Sequence, residues 1–482
     1  MISRRHAARL IGGAGVTLSL APIGVTARSA SSEGPGRSIL QFAEQVAKKT
    51  QGGLTVLLPR GSEANVQPVA DAFSAATGVQ IKFVYTAVDE INTRILADTL
   101  TGAKSFDIAL PATFGLPDLV EADALAPLDE FERKYADAFS ANENLYATGD
   151  SFLGATYGFQ TDGDVYVMFY LKSWLEDADQ RKRFADTTGR ELTLPDTWAE
   201  LDRMMDHFHE PAKNRYGGAL FRNPNYLVWE WWIRLHASGS WPADDSFNPM
   251  INSPPARAAL EALVESSKNL YPEASANGLV ANWKAFAKGN IFCNIGWGGS
   301  QKFFNGPNSG VRGNLVYGVT PGLVQNGNAV RIPYFNWGWN YTVAKNSGSR
   351  ELAYLFTRFA VSADMSSKAI RNWNGFFDPF RVEHYQDVEI RKTYSDAFLS
   401  VHRESMENSI PDFYVRNKGE YFDALRENID RAVRGKASPK DALDIAATQW
   451  NQITRRLGKT AQARQWRSLK SKYPEAIRNA LG

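Results

Sequence analysis

Residues 54–85, LTVLLPRGSEANVQPVADAFSAATGVQIKFVY, predict the fold class of this chain. The apolar run Leu54 to Leu58 ends at Pro59-Arg60-Gly61, a pattern typical of a buried strand followed by a turn. Apolar residues then recur at helical spacing from Val66 to Ala76, and a second β-type run, Val79 to Tyr85, follows. This strand-helix-strand order predicts a parallel sheet with a crossover helix, and therefore an α/β fold.

The length of the chain predicts more than one large unit. A chain of 482 residues exceeds what a single core usually holds, so we expect two large α/β lobes. Ile91 to Leu100 predicts another helix of the first lobe, and Phe106 to Leu110 another strand. The turn Thr161-Asp162-Gly163-Asp164 precedes a β-type run and is predicted to carry the first crossing between lobes, as part of a hinge.

The rest of the chain predicts helices with few strands. Helices are predicted at 197–208 and 255–269, and the runs at 313–320 and 341–344 are interpreted as strands that return to the first lobe. The predicted division is a signal peptide at 1–27, a flexible segment at 28–50, the first lobe at 51–160, the second lobe at 161–312, a return to the first lobe at 313–360, and a mainly helical part of the second lobe at 361–482.

The N-terminus has the pattern of a signal for export. Arg4-Arg5 stands before an apolar run from Leu10 to Ala21, which is shorter than the roughly 20 apolar residues needed to span a bilayer. Cleavage is predicted after Ala27, with Ala30 as the alternative. The paired arginines resemble the twin-arginine (Tat) signal, but Ala7 departs from its usual large apolar residue, so general secretion stays open.

Charge and cysteine content exclude several classes of function. Lys plus Arg number 54 and Asp plus Glu 52, so no net field favours nucleic acid, and a neutral solute is expected. Cys293 is the only cysteine, which excludes an intramolecular disulfide and a cysteine-rich zinc site. Its apolar neighbours predict a buried structural thiol.

Cofactor and catalytic motifs are absent from the sequence. There is no G-x-x-x-x-G-K-[ST] loop, and the glycine-rich run at 296–300 lacks the dinucleotide-binding spacing. His207 and His209 would point about 200° apart on a helix and could not chelate one metal, so neither metal nor cofactor is predicted. Asp162 and Asp164 could suggest glycoside hydrolysis, but alternate residues of a strand point to opposite faces, which argues against a catalytic pair.

Tryptophans are clustered in a way that suits a carbohydrate site. Their flat apolar faces match the C–H faces of sugar rings, and nearby carboxylates match hydroxyl groups. The alternative is that many of them pack within the core or between lobes. The clusters among the 13 tryptophans comprise Trp229, Trp231, Trp232, Trp241, Trp297, Trp337 and Trp339.

In the order of its motifs the sequence resembles the family 1 extracellular solute-binding proteins of ABC importers, of the maltose-binding, carbohydrate type. The resemblance runs from about Leu54 to Leu457 and rests on order and spacing, not on one motif. The motifs are LTV at 54–56, RGSE at 60–63, FDI at 106–108, LAPL at 125–128, YGFQTDGD at 157–164, FYLK at 169–172, LPDTW at 194–198, FAKGN at 286–290 with GW at 296–297, and WGWNYTVAK at 337–345.

The resemblance implies a set of ligand contacts in a cleft that closes between two lobes. It implies Asp164 as a hydroxyl acceptor, Trp297 as a stacking platform in the second lobe, Trp229 in the wall of the second lobe, and Trp339 facing the cleft from the first lobe. Arg60 and Glu63, from the loop after the first strand, complete the predicted set, listed in full as Asp164, Trp229, Trp297, Trp339, Arg60 and Glu63. Leu110 to Thr113 departs from the maltose-binding pattern, which leaves the sugar open.

The predicted function is therefore capture of a sugar or polyol outside the cytoplasm. The resemblance implies a monomeric, non-enzymatic periplasmic protein that delivers its solute to an inner-membrane ABC permease. A carboxylate-bearing or peptide-like solute is the alternative, and would require Arg60 and Arg381 to converge on the cleft. A glycan-degrading enzyme would require two carboxylates facing the same bond.

Overall fold

The computed structural model describes residues 35–50, 52–136 and 144–482. The predicted signal peptide at 1–27 lies outside the described residues, as do 28–34 of the segment predicted to be flexible. The strands are β1 (Leu54–Pro59), β2 (Ile81–Thr86), β3 (Ile108–Ala109), β4 (Ser151–Phe152), β5 (Ala155–Thr156), β6 (Gly158–Gln160), β7 (Val167–Leu171), β8 (Tyr216–Ala219), β9 (Ile291–Gly296), β10 (Leu315–Val319), β11 (Leu323–Gln325), β12 (Asn328–Val330) and β13 (Asn340–Val343).

Helices cover most of the remaining described chain, and short 3-10 turns join several of them. They are α1 (Pro35–Ala47), α2 (Glu63–Thr77), α3 (Ile91–Thr101), α4 (Leu116–Glu121), α5 (Asp129–Lys134), α6 (Lys172–Glu176), α7 (Ala178–Thr188), α8 (Trp198–Phe208), α9 (Leu227–Ala237), α10 (Pro254–Ser266), α11 (Leu279–Phe286), α12 (Gly298–Phe304), α13 (Arg350–Ala360), α14 (Ala363–Ile370), α15 (Val388–Tyr394), α16 (Asp396–Glu407), α17 (Lys418–Val433), α18 (Pro439–Leu457), α19 (Lys459–Lys470) and α20 (Glu475–Leu481).

The first lobe is built on a five-stranded sheet in the order β2-β1-β3-β13-β6. β1 pairs in parallel with β2 and β3, as the sequence predicts, and β13 pairs antiparallel with β3 and β6. β1 is almost entirely apolar and all of its residues except Thr55 are buried, as is typical of a strand inside a parallel sheet. Helix α2 connects β1 to β2 and ends at Gly78, whose φ of 74° is the left-handed cap that glycine adopts without strain.

The second lobe is built on a four-stranded sheet in the order β10-β7-β9-β8. β7 and β9 are central and fully buried, in agreement with their largely apolar sequences, and the one polar side chain of β9, Asn294, is hydrogen-bonded. The segment 161–166 joins β6 of the first sheet to β7 of the second, so the structure places a crossing where the sequence predicted one. The chain crosses back between β10 and β13, and again after α14. These two sheets, joined by three crossings, make the predicted two-lobed α/β fold.

Three of the predicted lobe assignments are wrong. The run at 313–320 does form a strand, but β10 pairs with β7 in the second sheet, because a local pattern does not encode which strand it will pair with. Residues 363–370, assigned to the second lobe, pack on the first, where Asn65 donates a hydrogen bond to the carbonyl of Ala369 (2.8 Å). Residues 35–47 of the segment predicted to be flexible form α1, which buries Ile39 and Ala43.

The C-terminal helices pack against α9 and α10 of the second lobe. Ser438 caps α18 by accepting the N–H of Asp441 (3.0 Å), and Pro439 is the first residue of the helix. Trp450 on α18 donates its indole N–H to the carbonyl of Tyr421 (2.8 Å), which ties α18 to α17. The helical C-terminal region is therefore a structural part of the second lobe.

Asp150 is a buried carboxyl group in the core of the first lobe. One of its oxygens accepts the backbone N–H of Gln160 (2.8 Å) and the side-chain amide of Asn340 (2.7 Å), so it links β6 to β13. Burial raises the pKa of Asp150 to about 8, although both hydrogen bonds oppose that rise. The folded protein therefore keeps a proton on Asp150 at neutral pH.

This protonated carboxyl group makes stability depend on pH. In the unfolded chain an aspartate titrates near pH 4, so the folded state holds more protons between about pH 4 and pH 8, and stability falls as pH rises through that window. We expect Asp150→Asn, which is neutral at every pH, to gain stability relative to the natural protein between pH 5 and pH 9. The gain should exceed about 1.4 kcal/mol, the value of one pKa unit.

Urea unfolding across this pH range measures the difference. Asp71→Asn, which makes the same change at an exposed carboxylate on α2, is the matched control for the substitution. A pH-independent difference for Asp150→Asn would contradict the assignment of a proton to this group.

Candidate functional site

A cavity of about 220 Å³ lies between the lobes, and its walls are mostly aromatic and aliphatic. The first lobe supplies the loop after β1 and the 3-10 turn after β2, and the second lobe supplies α11, the end of β9 and the start of α12. The crossing segments supply the remainder. Its lining residues are Arg60, Gly61, Val88, Asp164, Leu279, Val280, Trp283, Trp297, Gly299, Trp337, Trp339 and Phe376.

Strand ends position the polar and aromatic residues of the cavity. Arg60 directly follows β1, and Trp297 directly follows β9, so both lie at the carboxyl ends of their strands. In open α/β sheets that edge is where ligands bind. Trp339 immediately precedes β13, which runs antiparallel to its neighbours and so begins at the same edge. The fold therefore brings three widely separated segments to one place.

Trp297, the residue predicted as the main stacking platform, lines the cavity and also packs within the protein. Its ring lies 4.7 Å from that of Tyr166 and 6.0 Å from that of Trp337, measured between centroids. Its indole N–H donates to the side-chain carbonyl of Asn336 (3.0 Å). Only 3% of Trp297 is exposed, so its position is fixed before any ligand arrives.

Four of the six predicted site residues line the cavity: Arg60, Asp164, Trp297 and Trp339. Trp229 and Glu63 lie outside it. Trp229, in the first turn of α9, packs behind Trp337 with ring centroids 5.4 Å apart, so it supports the wall without reaching the cavity. Glu63 instead accepts the N–H of Gly61 (2.5 Å), which fixes the loop after β1.

Several lining residues were not predicted as contacts. Trp283 lies on α11, where nothing in the local sequence distinguishes it from a packing residue. Phe376 comes from the third crossing, more than 200 residues from the turn at 161–164. Trp337 was noted within an aromatic cluster, and its proximity to Trp339, which is 5.8 Å away, was the available signal.

Arg60 and Arg381 do not converge. Arg60 lies at the exposed rim, with its guanidinium 5.6 Å from the ring centroid of Tyr85. Arg381 is buried, is not among the residues lining the cavity, and donates to the carboxylate of Glu383 (3.0 Å). The pair of arginines that a carboxylate-bearing solute would require is therefore not assembled in this cavity.

Asp162, Asp164 and Asp378 form an acid cluster beside the cavity, with one oxygen from each lying within 4.8 Å of the others. The expectation that Asp162 and Asp164 point to opposite faces is wrong, because residues 161–164 are not part of a β-strand. Asp162 is fully buried and accepts the backbone N–H of Asp378 (2.6 Å). Asp164 is the only one of the three that lines the cavity.

Burial controls the charge of this cluster. It raises the pKa of Asp162 and of Asp164 well above the usual value, and the negative charge of Asp378 raises both further. Lys302 on α12 is buried nearby, where it donates to the carbonyls of Gly375 and Phe377. Burial lowers the pKa of Lys302, while the three carboxylates oppose that effect.

Two glycines at the start of α12 allow the backbone to approach the cluster. The N–H of Gly299 donates to Asp378 (3.0 Å). A side chain at Gly298 would place its Cβ about 2.4 Å from the carboxyl carbon of Asp378, so only glycine fits. The Gly-Gly pair after Trp297 therefore serves close packing as well as the cavity wall.

A hydrogen bond closes the outer edge of the cavity between the lobes. The hydroxyl of Tyr226, at the start of α9 in the second lobe, donates to Asp89 (2.8 Å), which lies in the 3-10 turn after β2 in the first lobe. The ring of Tyr226 also stacks against Trp337, with centroids 6.0 Å apart. This contact joins the lobes beside Val88, which lines the cavity.

Two further features of the described structure are the environment of Cys293 and the character of its helices. Cys293 on β9 is buried, as predicted, and burial raises the pKa of its thiol well above the usual value. None of the helices in the described ranges combines the length and apolar character needed to cross a membrane.

The profile of a bacterial extracellular solute-binding protein family matches residues 69–394, which is more than half of the chain. The chain belongs to this family. The match confirms the resemblance drawn from the sequence motifs, and members of an extracellular family are exported. The family is one of binding proteins.

Solved structures similar to this one share its two-lobed fold. An ABC transporter solute-binding protein from Agrobacterium radiobacter K84, in complex with ribitol, has a TM-score of 0.71 and 18% identity, covering 84% of this chain and 99% of that one. A solute-binding protein from Agrobacterium vitis with bound D-mannitol has a TM-score of 0.67 and 18% identity over 84% and 99%. Maltose-bound MalE3 of T. maritima has a TM-score of 0.69 and 18% identity, covering 83% of this chain and 99% of that one.

Proposed function

We propose that this protein is the extracytoplasmic binding component of an ABC importer and that it captures a small sugar or polyol between its lobes. The observation that carries the proposal is the aromatic cavity at the carboxyl ends of β1 and β9, with Asp164 in its wall. Aromatic faces suit the C–H surface of a sugar, and a carboxyl group suits its hydroxyls. Ribitol, D-mannitol and maltose are bound by proteins of the same fold.

The size of the cavity favours a small solute. A volume of about 220 Å³ lies below the roughly 300–1,000 Å³ of typical pockets for small molecules. That space suits one sugar ring or a short polyol. A long oligosaccharide would require the lobes to open further.

The two other candidate functions have less support. A carboxylate-bearing solute would be expected to meet two arginines, but Arg381 is engaged outside the cavity. Glycoside hydrolysis needs two carboxyl groups flanking one bond, while Asp164 is the only acid lining the cavity. We therefore assign binding and not catalysis.

The proposed location is the periplasm, with the solute passed by a monomeric protein to an inner-membrane permease. Arg4-Arg5 and the apolar run from Leu10 to Ala21 support export by a signal peptide. Mass spectrometry of periplasmic protein should find an N-terminus at Arg28, or at Ser31 if cleavage follows Ala30. Recovery of the uncleaved chain in the membrane fraction would contradict this prediction.

A thermal-shift screen tests the proposed ligand class directly. Pentitols, hexitols, monosaccharides, disaccharides, amino acids and peptides are each added to the protein, because a ligand that binds only the folded state raises its stability by mass action. We expect a rise in Tm among sugars or polyols. A rise confined to amino acids or peptides would overturn the proposal.

Replacing Trp283 with alanine tests whether the aromatic wall binds the solute. Trp283 is only half-buried and packs on Phe303, so its loss should cost less stability than the loss of a core tryptophan. We expect Trp283→Ala to weaken binding by roughly tenfold or more, equivalent to about 1.4 kcal/mol. Calorimetric titration with the ligand found in the screen measures the change.

Trp241→Ala is the matched control for this measurement. Trp241 is also half-buried, but it donates to the carbonyl of Gly482 (3.1 Å) and lies outside the cavity. The control should lower Tm and leave affinity unchanged. Equal affinities for both variants would remove Trp283 from the binding site.

Tyr226→Phe tests the hydrogen bond that joins the lobes. The variant keeps the ring that stacks on Trp337 but loses the hydroxyl that donates to Asp89. A hydrogen bond to a carboxylate contributes about 1.5–3 kcal/mol, part of which should stabilise the closed form. We expect ligand release to accelerate by about threefold to tenfold, measured by stopped-flow tryptophan fluorescence.

Tyr421→Phe is the control for the loss of a tyrosine hydroxyl. Tyr421 bonds Thr454 (3.0 Å) within the C-terminal helices, so its removal should leave the release rate unchanged. An unchanged rate in Tyr226→Phe as well would show that the hydroxyl does not hold the lobes together.

A further inference from the structure

The acid cluster beside the cavity retains protons, because burial and mutual repulsion disfavour three charged carboxylates at one place. Three carboxyl groups lie within 4.8 Å of one another, and two of them, Asp162 and Asp378, are fully buried. The carboxyl groups of Asp162 and Asp164 interact directly, and Oδ2 of Asp162 is buried within the cluster. Carboxyl groups at such distances cannot all be ionised unless cations compensate their charge. Without such cations, one or more of them keep a proton.

Six ionisable side chains either face this cluster or share the cavity with Asp164. They lie on α12, on α15, in the 3-10 turn at 382–385, on α16, directly before β7 and in the loop after β1. In that order they are Lys302, Tyr394, Tyr385, His402, Tyr166 and Arg60.

Of these six side chains, few carry a positive charge that could compensate the carboxylates. Lys302 is the buried cation among these six, and it uses its ammonium group on backbone carbonyls. Burial raises the pKa of the tyrosines and lowers the pKa of His402, so these groups stay neutral near pH 7. The hydroxyl of Tyr394 donates to Asp378 (2.8 Å), which stabilises that carboxylate without a charge. Arg60 lies at the exposed rim.

The same field that retains a proton on Asp162 and Asp164 attracts any other cation that can reach them. Asp164 is the point of access, because it alone among the three lines the cavity. The rest of the cavity suits a cation too, since the faces of Trp283, Trp297 and Trp339 can stabilise an ammonium group by cation–π attraction. The acid cluster and the aromatic wall therefore both favour a ligand with a positive charge.

We infer that the solute is an amino sugar or amino polyol, whose protonated amine is held at Asp164 while its carbon skeleton lies against the tryptophan wall. This inference rests on the proposed function and specifies the solute class. On binding, an ammonium N–H donates to Asp164, and the proton that the cluster shared is released to solvent. One positive charge enters as another leaves, so the net charge of the site does not change. Because binding releases a proton, affinity rises with pH while the amine remains protonated.

Calorimetric titration of matched pairs tests the inference. The probes are 1-amino-1-deoxy-D-glucitol against D-glucitol, and D-glucosamine against D-glucose. We expect the amine of at least one pair to bind at least tenfold more tightly at pH 7.5, and its advantage to be smaller at pH 5.5. Titration of the amino polyol at pH 7 in two buffers of different ionisation enthalpy should show net proton release.

Two variants connect the preference to the cluster. Asp164→Asn should remove the advantage of the amine over its neutral partner, and Asp71→Asn, on an exposed face of α2, should retain it. If Asp164→Asn does not fold, the proton release by the natural protein still decides the question. Proton uptake, or no exchange, would overturn the inference.

The remaining outcomes separate this inference from the proposed function. Equal affinities within both pairs would contradict the inference that the solute carries an amine, and would agree with the proposed binding of a sugar or polyol. Tight binding of 1,4-diaminobutane, without binding of any hydroxylated probe, overturns both the sugar class and the amino polyol. A rise in Tm with Ca²⁺ alone that Asp164→Asn abolishes would show that the cluster holds a metal ion, and would overturn the amine. Absence of binding in every pair overturns both.

Discussion

The hydrogen bond from the backbone of Asp378 to the carboxyl group of Asp162 is the contact on which the arrangement of the cleft depends. It joins the first crossing between the lobes to the third, and Asp378 in turn accepts the N–H of Gly299 at the start of α12. Three segments far apart in sequence are thereby held at one buried point. Removing either partner would leave a polar group without compensation in a dry environment, which costs more than the bond itself contributes.

This constraint explains why aromatic residues from three segments can form one wall. Trp297 follows the strand that leads into α12, Phe376 precedes Asp378 by two residues, and Trp339 borders β13 in the first sheet. Each ring is fixed by packing, and Trp297 is also fixed by its bond to Asn336. A preformed wall loses little conformational entropy when a ligand binds, so more of the contact energy becomes affinity.

Sequence patterns predicted those parts of the structure that are set locally. The strand-helix-strand unit at 54–85, the helix at 197–208 and the crossing at 161–166 follow from periodicity and turns. Four site residues followed from a motif resemblance. What escaped prediction depends on pairing across long distances: β10 joins the second sheet, Phe376 reaches the cavity, and α14 returns to the first lobe. Asp162 and Asp164 lie in the crossing segment and not in a strand, and Gly163 between them lies so close to the carbonyl of Pro379 that a side chain there would collide with it.

The single cysteine has a consequence for how this protein reaches its compartment. Cys293 is buried in β9 and donates to the carbonyl of Gly217 (3.4 Å), so it is both isolated and shielded from oxidants. With one thiol the chain has no disulfide to form, and its native state is the same in a reducing cytoplasm as in an oxidising periplasm. Folding can therefore be complete on either side of the inner membrane, and the route of export is not constrained by the chemistry of oxidative folding.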